Sequence, residues 1–298
     1  RAEIDLPPDT DPYDDRVYAL AKQTFEGFIE RGVLFREDEP SLYVYRQEAV
    51  LGGRSVSQLG VVGCCHIDDY VDGRIKKHEV TRKDKEDDRT RHTLAINANA
   101  GPVFLAYKPR PELTELTAAA ARGVPLYDFT SVDGVRHTVW RVEKPQPIIE
   151  AFGRLGCAYV ADGHHRTASA ARAGAERRRD NPRSSGNEEY NWFLCVLFAA
   201  DQLNVLPYHR LVRDLGGLTP VEFLARLRTF AEVTPTTTPI PDRPGCFGVY
   251  FDGRWYELRL PAAAVEVSDP VRSLDYVLLS EYVLAPVLGI QDLRTDKR

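Results

Sequence analysis

Asp162-Gly163-His164-His165-Arg166 sets a carboxylate, a glycine, two imidazoles and a guanidinium side by side. The run follows the short apolar stretch Cys157-Ala158-Tyr159-Val160-Ala161 and precedes an alanine-rich segment from His164 through Ala173, with Gly174 as its expected stop. The five residues therefore fall where a buried strand turns into a helix. A turn of that kind suits anions. Free N–H groups and the dipole at the helix start attract negative charge, glycine lets the backbone approach closely, and an arginine fork grips phosphate or carboxylate with two hydrogen bonds. Asp162, Gly163, His164, His165 and Arg166 are the candidate phosphate-binding residues. Asp162 is also the candidate ligand for Mg²⁺, and His164 or His165 can give a hydrogen bond or a proton to a developing charge. The structural alternative is that Asp162 only caps the helix and the histidines are satisfied polar residues. Five such residues at one turn exceed what capping needs.

A second concentration of chemistry lies between Ile75 and His92. Lys83 to Asp88 reads as a solvated helix laced with ion pairs. His78, Glu79 and Arg82 follow an expected strand end, from which they can project a base and a cation toward a common site, so His78 and Glu79 join the catalytic candidates and Arg82 the phosphate-binding ones. Asn97, Asn99 and Gly101 suit either a ligand or a turn, and the turn is the simpler reading. Tyr208-His209-Arg210 is equally a surface feature or a phosphate contact. Neither G-x-x-x-x-G-K-[ST] nor H-E-x-x-H occurs, so any nucleotide or metal site is of another kind.

These residues need a scaffold, and the chain supplies one. Val17 to Arg31 has helical spacing. Ser41–Arg46 and Gln58–Cys65 flank Gly52-Gly53 as a hairpin, Pro102–Tyr107 reads as a buried strand, and Pro111–Ala121 as a helix. A second hairpin turns at Asp133-Gly134, with a helix over Pro147–Leu155 after it. Glu176 to Glu189 reads as a mobile polar loop able to close over a ligand, and Asn191–Phe198 as another buried strand. Beyond a helix from Pro220 to Phe230 and a Pro/Thr-rich stretch lies a third hairpin about Asp252-Gly253. The expected fold class is α/β (α+β mixed), with a core domain over 1–215 and a smaller C-terminal α+β region over 216–298.

With 298 residues, 43% of them hydrophobic, the chain has material for a substantial core and no apolar run suited to a bilayer. A formal charge of −5 argues against nucleic acid as a partner. Five cysteines without a C-x-x-C pair read as reduced thiols, Cys64 and Cys65 being placed in the core. With no basic-then-apolar leader in Arg1-Ala2-Glu3-Ile4-Asp5-Leu6-Pro7-Pro8, the expected location is cytoplasmic. The oligomeric state is not encoded in any motif.

Taken together, the Ile75–Arg89 stretch, Tyr159–Arg166 and Leu206-Pro207-Tyr208-His209-Arg210 resemble DUF1015, a bacterial and archaeal family of unknown function, over almost the whole chain. Leu284–Ile290 and Arg294–Arg298 are similar to it too, and since its members continue further, the C-terminus is expected to be truncated. Asp162-Gly163-His164-His165-Arg166 is also similar to the D-G-H-x-R box of ParB/sulfiredoxin-fold proteins, which include free-serine kinases, and Lys77-His78-Glu79 is similar to the P-H-E stretch of their first box. That resemblance implies a ParB/sulfiredoxin-like core with inserted hairpins. It also implies a phosphotransferase: the box holds ATP or ADP with Mg²⁺, and Glu79 is the base on a small hydroxyl metabolite such as serine, or the site runs in reverse from phosphoserine. Two alternatives stand beside it, a non-catalytic nucleotide- or DNA-binding regulator of ParB-like type and a metal-dependent hydrolase using His164, His165 and carboxylates.

Overall fold

The computed structural model describes residues 6–241, 243–265, 268–293 and 295–298. Arg1–Asp5 of the leaderless start and Arg294 of the terminal motif lie outside the described residues. The chain divides into two compact units, Arg1–Asn204 and Val205–Arg298. The division falls ahead of the 215/216 boundary drawn from sequence. Arg213 N–H donates to Arg298 O (3.0 Å), and Leu215 packs on the second unit's core, which ties the 205–215 stretch to the C-terminal unit.

The first unit contains α1 (Asp15–Glu30), β1 (Tyr43–Leu51), β2 (Arg54–His66), α2 (Ile67–Val71), β3 (Ile75–Lys76) and α3 (Lys83–Ile96). It continues with β4 (Val103–Tyr107), α4 (Pro111–Ala120), β5 (Tyr127–Thr130), β6 (Arg136–Arg141), α5 (Gln146–Gly153), β7 (Ala158–Asp162), α6 (His164–Arg179) and β8 (Trp192–Ala199). Its strands form one eight-stranded mixed sheet in the order β3-β7-β4-β8-β2-β1-β6-β5. Among the described residues, only β3 with β7 and β4 with β8 pair in parallel. The mixed α/β class expected from the sequence is what the chain adopts.

Strand chemistry explains this order. Central β8 is buried at Phe193 and from Cys195 through Ala199, the near-continuous apolar run of a strand covered on both faces, whereas β4 alternates, with Val103, Leu105 and Tyr107 buried. Leu105, Val160, Phe193 and Val61 meet in one core, where each large apolar side chain contributes about 1.5–3 kcal/mol by leaving water. Cys64 and Cys65 are consecutive on β2 and so point to opposite faces. Cys64 is exposed, correcting its placement in the core, while Cys65 Sγ lies 3.2 Å from that of buried Cys195.

Helix α6 extends beyond its expected stop. Gly174 lies inside it, and a Cβ there would sit 2.4 Å from Ile67 Cδ1 and 2.6 Å from Tyr190 O. This glycine serves close packing. Helix termination falls to Asp180, after three arginines that complement the negative end of the dipole; Arg178 also pairs with Asp68 (2.7 Å). The expected mobile loop is likewise tied down. The Glu188 carboxylate accepts from Ser185 N (2.6 Å), Gly186 N (3.0 Å), Ser184 Oγ (3.0 Å) and Asn191 Nδ2 (3.0 Å), and the backbone N–H of Ser185 above all lowers its pKa to about 2.

The second unit contains α7 (Pro220–Leu227), β9 (Glu232–Pro235), β10 (Cys246–Phe251), β11 (Arg254–Arg259) and α8 (Asp275–Leu279). Its sheet has the order β10-β11-β9, antiparallel throughout. A Thr219/Glu222 capping box starts α7, and Leu227, Leu258 and Leu278 centre the core. β9 follows α7, so a helix-turn-helix does not form there. No helix among the described residues is long and apolar enough to cross a membrane.

Gly174→Ala supplies the test of this packing. In an open helix the change would stabilise by about 1 kcal/mol; here the new methyl overlaps Ile67 and the Tyr190 carbonyl, and a loss of about 1–3 kcal/mol is expected in chemical denaturation.

Candidate functional site

Strand β7 ends at Asp162, Gly163 turns the chain, and α6 starts at His164. Gly163 has φ 94° and ψ 29°, a left-handed conformation that side chains disfavour, and it occupies the N-cap position. Asp162 therefore does not cap the helix, against the structural alternative drawn from sequence. Its Oδ2 instead accepts from Arg166 Nη2 at 2.5 Å. Arg166 folds back over the turn, so that a Cβ on Gly163 would lie 3.1 Å from its Nε, and its Nη1 donates to the carbonyl of Pro102. The first helical bond runs from Thr167 N to Gly163 O (2.9 Å), leaving the N–H groups of His164, His165 and Arg166 without intrahelical acceptors.

The segment after β3 closes on this turn. The backbone N–H of Arg82 donates to His165 Nε2 (3.2 Å), Thr81 Oγ1 donates to Glu86 (2.7 Å), and Arg172 of α6 binds Glu86 (3.1 Å) and Asp87 (2.7 Å). Part of the charged run expected to face only solvent is thus a packed joint between α3 and α6, where Thr90 is buried. The joint sets His78 edge-on to His164, ring centroids 4.4 Å apart at 85°, and brings Glu79 Oε2 to 3.6 Å from His164 Nδ1.

Glu79 and His164, with His78 standing behind them, border a hollow of about 470 Å³ whose walls also include Arg89, Asn99, Gly101 and Arg166. Its size is that of a small-ligand site. Asp162, Gly163 and His165 also line it, so the proposed base and the phosphate-type turn share one space. Arg82 does not line it, its guanidinium being turned to Asp84 at 2.8 Å. Asp162 stands outside the one group of potential metal ligands among the described residues, which is His78, Glu79 and His164. Tyr208, His209 and Arg210 belong to the second unit, where Arg210 stacks on the Tyr208 ring at 4.3 Å.

Sequence reasoning missed Arg89, His92 and Thr93 as part of the wall. Their i, i+3, i+4 spacing on α3 was the available signal. Asn97 is the left-handed C-cap of α3 and answers the turn reading, whereas Asn99 and Gly101 reach the hollow.

His164 is 5% exposed, and burial, followed by the nearby His78, lowers its pKa below 6.5 against the opposing pull of Glu79 and Asp162. It is a neutral imidazole at neutral pH. Because the folded value is the lower one, the unfolded chain binds the proton more readily. The contribution of His164 to stability is complete above pH 6.5 and is lost as pH falls through that value toward the lowered one. Urea denaturation at descending pH should show this loss, and His164→Asn should flatten it.

Residues 1–277 match the family described as "Protein of unknown function (DUF1015)". No curated protein and no solved structure matches the chain. The matched span carries His78, Glu79 and the whole Asp162–Arg166 turn, and with most of its length covered the chain belongs to the DUF1015 family.

Proposed function

We propose that the hollow transfers a phosphoryl group between a nucleotide, ATP or ADP, and a small hydroxyl metabolite of the serine class. The observation that carries this reading is the meeting of the Gly163 turn, with its free helix N–H groups and Arg166, and the Glu79 carboxylate in one small cavity. A ParB/sulfiredoxin-like core is the matching fold reading, supported by the strand-glycine-helix placement of the D-G-H-x-R box and by His78-Glu79 beside it.

In this reading the first-turn N–H groups of α6 and Arg166 hold nucleotide phosphates. The metabolite hydroxyl attacks the terminal phosphorus, Glu79 takes the hydroxyl proton, and the bond from that phosphorus to the bridging oxygen breaks, releasing the shortened nucleotide. His164, buried 3.6 Å away, lies too far to hydrogen-bond the carboxylate and forms the wall beside it. Asp162 supplies a single carboxylate already paired with Arg166, a donor set that suits Mg²⁺ only when the nucleotide brings its own phosphate oxygens. When bound, that ion would neutralise phosphate charge.

Phosphorus NMR of the protein with serine, Mg²⁺ and either nucleotide, and of the reverse mixture with phosphoserine, is the decisive measurement. Transfer in at least one direction is expected. Glu79→Gln should lower turnover by roughly 10²–10⁴-fold, the range for a general base, with little effect on folding because the side chain is exposed. Absence of transfer in both directions defeats the reading, and nucleotide hydrolysis without transfer would favour a hydrolase.

A further inference from the structure

His164 is buried in an unusual way. Its Nε2 is shielded from solvent and has no hydrogen-bond partner, and the carboxylate oxygen facing Nδ1, at 3.6 Å, is beyond hydrogen-bond reach. Leaving Nε2 buried without a partner costs about 1–3 kcal/mol, whereas Nδ1 is the nitrogen that faces the carboxylate. Around this ring stand a second imidazole and a carboxylate. One ligand atom each from His78, Glu79 and His164 lies within 4.8 Å of the others.

We infer that His78, Glu79 and His164 form a binding site for a divalent cation of the zinc class. Bonds of about 2.0–2.2 Å at tetrahedral angles place ligand atoms roughly 3.3–3.6 Å apart. The Glu79–His164 pair already stands at 3.6 Å, and the exposed side chains of His78 and Glu79 can close the remainder by small rotations, against a His164 fixed by burial. Imidazole nitrogen selects Zn²⁺, Co²⁺ or Ni²⁺ over Mg²⁺, which takes oxygen ligands. Two histidines and one carboxylate leave a fourth position for water or a substrate oxygen.

The site shares Glu79 and His164 with the phosphate-transfer reading but takes a different cation from the Mg²⁺ that reading employs. A carboxylate bound through one oxygen keeps the other for a proton, so Glu79 can serve in both.

Metal-free full-length protein titrated with Co²⁺ tests the site directly, through the visible absorption of four-coordinate cobalt, with neither nucleotide nor serine present. One equivalent per chain is expected, displaced by Zn²⁺ and not by excess Mg²⁺. His78→Ala and Glu79→Gln, both at exposed side chains and therefore folded, should each weaken Co²⁺ binding by at least about ten-fold, since even residues behind the ligands typically account for 10–100-fold. No saturable Co²⁺ binding, or affinity unchanged in both variants, overturns the inference. Either result leaves the transfer assay free to succeed or fail on its own.

Discussion

The left-handed turn at Gly163 is the constraint on which the rest of the site depends. A residue with a side chain at φ 94° would be strained, and its Cβ would press on the Arg166 guanidinium from 3.1 Å. Because glycine takes the N-cap position, no side chain caps the first-turn N–H groups of α6, and Asp162 remains at the end of β7 to pair with Arg166. The same turn sets His164 in the first helical position, where the helix enters the core and its ring is buried. One backbone conformation thus exposes the helix N–H groups, fixes the guanidinium against β4 through Pro102, and hides an imidazole.

Sheet order explains why distant segments meet at this turn. β3 pairs in parallel with β7, Ile75 opposite Ala158 and Lys76 opposite Tyr159, so the chain leaving β3 emerges at the same end of the sheet as Asp162. β4 runs antiparallel to β7, with Phe104 opposite Asp162, which brings the residues preceding it, Gly101 and Pro102, to that end as well. His78-Glu79, Asn99 to Gly101 and the Asp162–Arg166 turn are thereby gathered without any long loop. A crevice beyond the carboxyl ends of parallel strands is where open α/β sheets place their ligands.

Local chemistry made some of this legible in the sequence and left the rest hidden. Hairpins announced by Gly52-Gly53, Asp133-Gly134 and Asp252-Gly253 form where turn residues required them, and the strand-turn-helix at Asp162 was readable because its signals lie within a few positions. Gly174 misled because a helix-stop glycine and a close-packing glycine are the same letter, and the neighbours that distinguish them, Ile67 and Tyr190, are remote or across a loop. Arg82 misled for the opposite reason, since the nearby Asp84 satisfies its guanidinium locally and leaves only its backbone to serve the site. The pairing of β3 with β7, a two-residue contact between segments far apart in the first unit's sequence, has no periodic signature at all.

The charge arrangement bears on how a phosphate would enter. The chain is acidic as a whole, and Arg166 is already occupied by Asp162. Yet both side chains are substantially exposed, and an ion pair in that setting is worth about 0–1 kcal/mol net. A phosphate presents more charge than one carboxylate and also meets the unpaired N–H groups of α6, which Asp162 does not use. The exchange of partners is therefore downhill in the phosphate-transfer reading. It releases the Asp162 carboxylate at the moment when a cation carried by the nucleotide would need it. On that reading Asp162 would be a placeholder that keeps the guanidinium oriented over Gly163 until the anion arrives.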